Sequence, residues 1–326
     1  MSQPTSSSPS RQSGHQASPE VSGLDNLRVG FIGLGVMGEP MCRNLCNRLL
    51  KGAAKDNVLR VFDLDAERLQ SVVSAGAIAA ESVAELSQQS NIILMSLPGG
   101  KEVDAVLTGE GGVFSHAATG SLIIDCSTTS VSLTRTLAND ALKRGFEFID
   151  SPVARTRAAA ETGTLAMMVG GEQAHFESAS PLLSCMASDV LHVGAVGCGQ
   201  MAKILNNMVL FQTVAALAEA QTMANRAGLS TERLFDALAQ GSANSFALGQ
   251  HGRKSMQTGE FPLQAFSVEY ARKDLSYALQ LASETGTHVA GAEYVDKLFG
   301  EAIEQGSGEQ YWPVILKLLQ QQESDK

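Results

Sequence analysis

The sequence is short of what several protein classes require. It carries 24 Lys and Arg against 34 Asp and Glu, a formal net charge of −10. A protein that grips nucleic acid by its phosphates shows a basic face, so no nucleic-acid partner is expected. A small anion in a locally positive pocket remains compatible with that balance. The five cysteines, at 42, 46, 126, 185 and 198, form no CxxC pair. None of the six histidines stands at metal-ligand spacing, so no metal is expected. No Ser-His-Asp order suggests a hydrolase. Core thiols without a pairing pattern fit a reducing, cytoplasmic setting. No apolar run reaches the roughly 18 residues that cross a bilayer, so no membrane association is expected. Proline is scarce at 9 residues, whereas glycine numbers 31. That combination suits tight strand-to-helix turns better than linkers.

What is present is enough for a packed core. Hydrophobic residues make up 44% of the 326 residues, and the length suggests two domains. Residues 1–26 are rich in Ser, Pro, Gly and Gln. They lack the apolar surface to offset ordering entropy, and a disordered tail is expected. From Leu27 onward, strand signals (28–32, 58–62, 91–96, 121–125, 146–150) alternate with helical periodicity (37–50, 66–74, 133–144). The alternation predicts an α/β fold with a doubly wound parallel sheet over residues 27–192. Strand signals end with 165–169 and 190–193. Residues 193–326 read as an all-helical domain, entered by a long interdomain helix from about Gly199.

The first strand runs into Gly33-Leu34-Gly35-Val36-Met37-Gly38. This is a G-x-G-x-x-G between a strand and a helix. The first glycine permits the turn, the second lets a pyrophosphate approach the backbone, and the third allows close helix packing. The second strand signal ends at Asp63, a little over twenty residues beyond Gly38. A carboxylate there accepts hydrogen bonds from ribose hydroxyls and repels a 2′-phosphate, which points to NAD.

The stretch from Phe31 to Met41 resembles the opening motif of the β-hydroxyacid dehydrogenases. Three further motifs agree in order and spacing: Asp150-Ser151-Pro152-Val153 with Gly163-Thr164-Leu165, Gly197 to Asn207, and Lys273-Asp274-Leu275. The match begins at about residue 27. The resemblance implies a Rossmann domain and hydride transfer between a nicotinamide cofactor and a small anionic substrate. It implies Lys203 as catalytic acid/base, with Asn206 and Asn207 facing the substrate. It places Leu97, Pro98, Ser127, Thr128 and Lys273 around the cofactor, and Ser151, Ala154, Arg155 and Thr156 around the substrate. A homodimer or homotetramer is implied as well.

One stretch departs from the family pattern. Ala154-Arg155-Thr156 stands where most members have Ser-Gly-Gly. An arginine there suggests a demanding anion, and the arrangement resembles the sulfolactaldehyde reductase branch. That branch is expected to carry a serine where this chain has Leu210, which leaves a carboxylic semialdehyde open. 3-Hydroxyisobutyrate dehydrogenase and tartronate semialdehyde reductase are the enzymatic alternatives. A non-enzymatic dinucleotide-binding relative is the alternative of another class, and the presence of Lys203 argues against it. Arg157 reads as a solvent-facing charge.

Overall fold

A computed structural model describes residues 26–51, 56–263 and 265–321. Of the expected tail, only Asn26 falls among them. Strand β1 (Arg28–Ile32) leads into helix α1 (Gly38–Leu45), which continues as a wider π-helical turn over Cys46–Leu50. Then follow β2 (Val58–Phe62), α2 (Ala66–Val73), β3 (Ile78–Ala79), α3 (Val83–Gln88), β4 (Ile92–Met95), α4 (Gly100–Thr108) and α5 (Val113–His116). Next come β5 (Leu122–Asp125), α6 (Val131–Lys143), β6 (Glu147–Asp150), β7 (Val153–Ala154), α7 (Arg157–Thr162), β8 (Leu165–Gly170), α8 (Gln173–Leu183) and β9 (Ala187–Gly194).

The strands lie in the order β3-β2-β1-β4-β5-β6-β8-β7, with β9 on β8. From β3 to β6 every pairing is parallel. This is the doubly wound order, whose switch point falls between β1 and β4. Strands β4 (IILM) and β5 (LIID) are buried at every position, as befits strands covered on both faces. Beyond β6 the expected all-parallel pattern breaks, because β8 runs antiparallel to both β6 and β7. The connection at 155–164 is too short for the crossover that a parallel pair needs.

The helical domain comprises α9 (Cys198–Arg226), α10 (Thr231–Gln240), a π-helical segment (Leu248–Met256), α11 (Val268–Thr285), α12 (Ala290–Glu304), a 3₁₀ turn (Trp312–Ile315) and α13 (Leu316–Gln321). Its core gathers Phe211, Phe235, Phe299 and Trp312, all fully buried. Helix α9, 29 residues long, is apolar enough by length and composition to cross a membrane. Here it is the hub of the helical domain, with Phe211, Val214 and Ala218 inside the core.

Candidate active site

The glycine-rich loop leaves the carboxyl end of β1, and its three glycines serve different ends. Gly33 sits at φ +93°, and a Cβ there would come within 2.4 Å of the Ser96 carbonyl oxygen. A Cβ on Gly38 would come within 2.0 Å of the Gly33 carbonyl. Both are demanded by the protein itself. A Cβ on Gly35 would meet nothing closer than Arg68 Nη1 at 3.7 Å. Its bare backbone leaves open space, as a pyrophosphate at this turn requires. Met37 precedes α1 without a side-chain cap, and the Glu39 N–H turns back to the Gly35 carbonyl at 3.0 Å, so the positive end of the helix dipole faces the loop. Leu34 is buried, Val36 is half exposed, and a cavity of about 400 Å³ lies beside Gly35, Val36 and Arg68. Asp63 Oδ2 accepts the Leu34 N–H at 2.5 Å, and its Oδ1 accepts the Asp65 N–H at 2.8 Å. The carboxylate is thereby fixed at the tip of β2, beside the glycine loop.

Two more loops leave the carboxyl ends of β4 and β5. The Leu97 N–H donates to Ser127 Oγ at 2.9 Å, which ties the loops together. Thr128 is half-buried, with its neighbour Thr129 fully buried. Helix α11 closes over them. Lys273 Nζ donates to the Pro98 carbonyl at 2.8 Å and pairs with Asp274 Oδ1 at 3.0 Å.

Helix α9 brings Lys203 to this edge. Its Nζ donates to Asn207 Oδ1 at 3.0 Å, and Asn207 Nδ2 donates to Asp274 Oδ2 at 2.8 Å. One helical turn separates Lys203 from Asn207, so both share a face. Asn207 is 3% exposed. Asn206 is exposed and its Nδ2 donates to Asn207 Oδ1 at 3.2 Å. Burial holds the Lys203 ammonium below its ordinary pKa; Asp274 opposes that fall and Lys273 adds to it. The result is a half-buried ammonium with a hydrogen-bonded orienting group, suited to proton donation.

The turn from Ser151 to Thr156 differs from expectation. Ser151 is fully buried, and its hydroxyl has no partner. Its N–H donates to the Asp125 carbonyl at 2.7 Å, so the residue faces the interior. Ala154 is buried as well. Arg155 adopts φ +83°, the left-handed backbone that a glycine supplies freely. Its guanidinium is already engaged. It donates to the Thr164 carbonyl at 2.6 Å, to Ser188 Oγ at 2.8 Å and to Asp189 Oδ2 at 2.6 Å. The expected open anion holder is therefore an arginine paired with β9. Thr156 precedes α7 and is exposed. Leu210 packs against the helical core. Arg157 pairs with Glu161 at 3.0 Å, both half exposed.

Sequence reasoning passed over three buried polar residues. Asp274 was visible only as part of the Lys-Asp-Leu motif. Gln200 is fully buried, donating through Nε2 to the Ser127 carbonyl at 2.7 Å and accepting the Thr129 N–H at 3.0 Å. Asp150 Oδ1 and Oδ2 accept the N–H groups of Gly197 and Gln200, each at 2.7 Å. Burial lifts the Asp150 carboxyl to about 6 and its strand neighbour Asp125 to about 7.

A bare glycine turn at the switch point, together with a half-buried lysine on a helical domain that is tied to the β4 loop through Asn207, Asp274 and Lys273, defines a nicotinamide-dependent oxidoreductase. Residues 28–201 match the NAD binding domain of 6-phosphogluconate dehydrogenase, and residues 197–319 match the NAD-binding domain of NADP-dependent 3-hydroxyisobutyrate dehydrogenase. The chain belongs to the β-hydroxyacid dehydrogenase family and uses NAD(P). It is 34% identical to 2-(hydroxymethyl)glutarate dehydrogenase of Eubacterium barkeri, over 91% of this chain and 96% of that one. It is 32% identical to 3-sulfolactaldehyde reductase of Escherichia coli, over 89% and 94%. The solved 3-hydroxyisobutyrate dehydrogenase of Mycobacterium tuberculosis with L-serine superposes with a TM-score of 0.81 at 29% identity, covering 89% of this chain and 98% of that one.

Proposed function

We propose that the chain interconverts a short anionic aldehyde and its alcohol, with NAD(H) as cofactor and Lys203 as the acid/base group. The observation that carries this reading is the Lys203–Asn207–Asp274 chain of hydrogen bonds, set beside the loops of β4 and β5. Gly33, Leu34, Gly35, Val36, Met37 and Gly38 would hold the pyrophosphate, and Asp63 the ribose hydroxyls. Leu97, Pro98, Ser127, Thr128 and Lys273 would line the nicotinamide side. The cofactor, when bound, supplies or accepts the hydride. The protein's part is the proton. In the reducing direction the Lys203 ammonium donates to the forming alkoxide, and burial makes that donation easier by weakening its hold on the proton.

The substrate anion would rest on the turn at Ala154-Arg155-Thr156, with Asn206 as a further proposed contact. Arg155 is the proposed charge contact, reached by exchanging Asp189 for the incoming anion. A carboxylate or a sulfonate can make that exchange. The relatives' names span both, as a dicarboxylate-type hydroxy acid and a sulfonate. We place the enzyme in the cytoplasm as a homodimer or homotetramer. Val209 and Met223 stand exposed on α9, where a second copy could cover them. The test is a panel of sulfolactaldehyde, succinic semialdehyde, tartronate semialdehyde and methylmalonate semialdehyde with NADH. Reduction of at least one, and much slower reduction of a neutral aldehyde of equal length, is the expected outcome. Equal rates for the neutral aldehyde would refute the anion contact.

A further inference from the structure

Gln200 lies three residues before Lys203, so the two side chains project within about 60° of each other around the axis of α9. It is fully buried. Burying a primary amide is unfavourable unless both ends are bonded. Here both ends are, and both to the main chain of one loop: Nε2 to the Ser127 carbonyl at 2.7 Å and Oε1 from the Thr129 N–H at 3.0 Å. That loop leaves β5, and its Ser127 hydroxyl holds the loop of β4 through the Leu97 N–H at 2.9 Å. The backbone of Gln200 is anchored independently, by the Asp150 carboxylate at 2.7 Å. The same first turn is pressed on β8, since a Cβ on Gly199 would fall 2.4 Å from the Met168 carbonyl.

These contacts divide the work. Asp150 fixes where α9 begins. The Gln200 amide fixes how α9 is rotated against the two loops. A side chain one turn further along inherits that rotation. We propose that Gln200 is a positioning residue, holding Lys203 in register with the loops that flank the nicotinamide. The proposal rests on the reading of Lys203 as the proton donor. An apolar residue of the same volume would fill the space without the amide's bonds, so packing and registration are separable.

The experiment compares Gln200→Met, which keeps the volume, with Gln200→Ala. NADH affinity is measured by fluorescence titration. Turnover uses the panel aldehyde that the parent reduces fastest, with NADH and with NADH deuterated at the transferred position. The expected result is a kcat at least tenfold lower in both variants, NADH affinity within about threefold of the parent, and a larger deuterium effect on kcat. Recovery of kcat by Met to within twofold overturns the proposal, because packing alone then suffices. So does a loss confined to NADH affinity, or a variant that no longer binds NADH, since either makes Gln200 part of the cofactor site or the core. Lys203→Ala serves as the control. If it retains turnover, the reading of Lys203 fails, whatever the Gln200 variants do.

Discussion

Asn207 Nδ2 donates to Asp274 Oδ2 at 2.8 Å, joining α9 to α11 across 67 residues of sequence. The bond orients the asparagine so that its carbonyl oxygen receives Lys203 Nζ at 3.0 Å. Asp274 also pairs with Lys273, whose Nζ reaches the Pro98 carbonyl. One carboxylate thus serves the proposed proton donor, Lys203, and the clamp on the β4 loop together.

That double role fixes a sign for the pH dependence. Asp274 raises the Lys203 pKa against the lowering by burial. Asp274→Asn removes the raising charge, so Lys203 should lose its proton at lower pH. With Lys203 as the proposed donor, the protonated form is the active one in the reducing direction. The fall in kcat with rising pH should therefore begin at lower pH in the variant than in the parent. An unshifted profile, or one shifted to higher pH, contradicts the coupling.

Arg155→Gly tests the anion contact without straining the backbone, since glycine accepts φ +83° freely. Because the guanidinium is half exposed and already holds Asp189, a substrate anion exchanges one partner for another. The loss should be about tenfold, seen in KM with kcat little changed. Arg155→Lys should recover part of it, as a point charge cannot reproduce the fork. Arg157→Ala should leave KM unchanged. Equal effects at the two arginines would remove Arg155 from the substrate site.

The proposed preference for NAD(H) rests on Asp63. Fixed by the Leu34 and Asp65 N–H groups, its carboxylate cannot swing away from a 2′-phosphate. Steady-state kinetics should favour NADH over NADPH in kcat/KM by about tenfold or more, and Asp63→Ser should narrow that ratio. A parent enzyme that prefers NADPH contradicts the assignment.

The Asp125 carboxyl, pushed up to about 7 by burial with Asp150 nearby, makes a prediction about stability. Its pKa in the fold lies above that in the unfolded chain, so the folded form holds more protons across that interval. Its contribution is greatest below the ordinary carboxylate range and is lost as pH rises through about 7. Asp125→Asn keeps an acceptor for the Ser127 N–H and cannot ionise. Its Tm advantage over the parent should grow from about pH 4 to pH 8, reaching on the order of 5 °C. An advantage that does not change with pH would place the effect elsewhere.

Local chemistry was the legible part of the sequence. The glycine turn, Asp63 and the Lys203–Asn207 pair each depend on spacing within one or two elements, and spacing is visible in a string of residues. The β1 and β2 bounds agree residue for residue with the apolar runs at 28–32 and 58–62. Strands β3 and β7 are two residues long, too short to carry a periodicity. Gln200 and Asp150 take their meaning from each other and from the β5 loop, 50 to 73 residues away. Arg155 looked free because its counter-ion, Asp189, sits on β9, beyond the end of β8. No pattern near residue 155 announces that pairing.

Lys203→Ala measures the central claim most directly. Turnover of the best panel aldehyde should fall by roughly 10²- to 10⁴-fold, the usual contribution of a positioned general acid. NADH binding, followed by fluorescence, should stay within about threefold of the parent, because the proposed cofactor contacts lie on the glycine loop and the β4 and β5 loops. A variant that keeps more than about a tenth of the parent kcat, or loses activity only through weaker NADH binding, contradicts Lys203 as the proton donor.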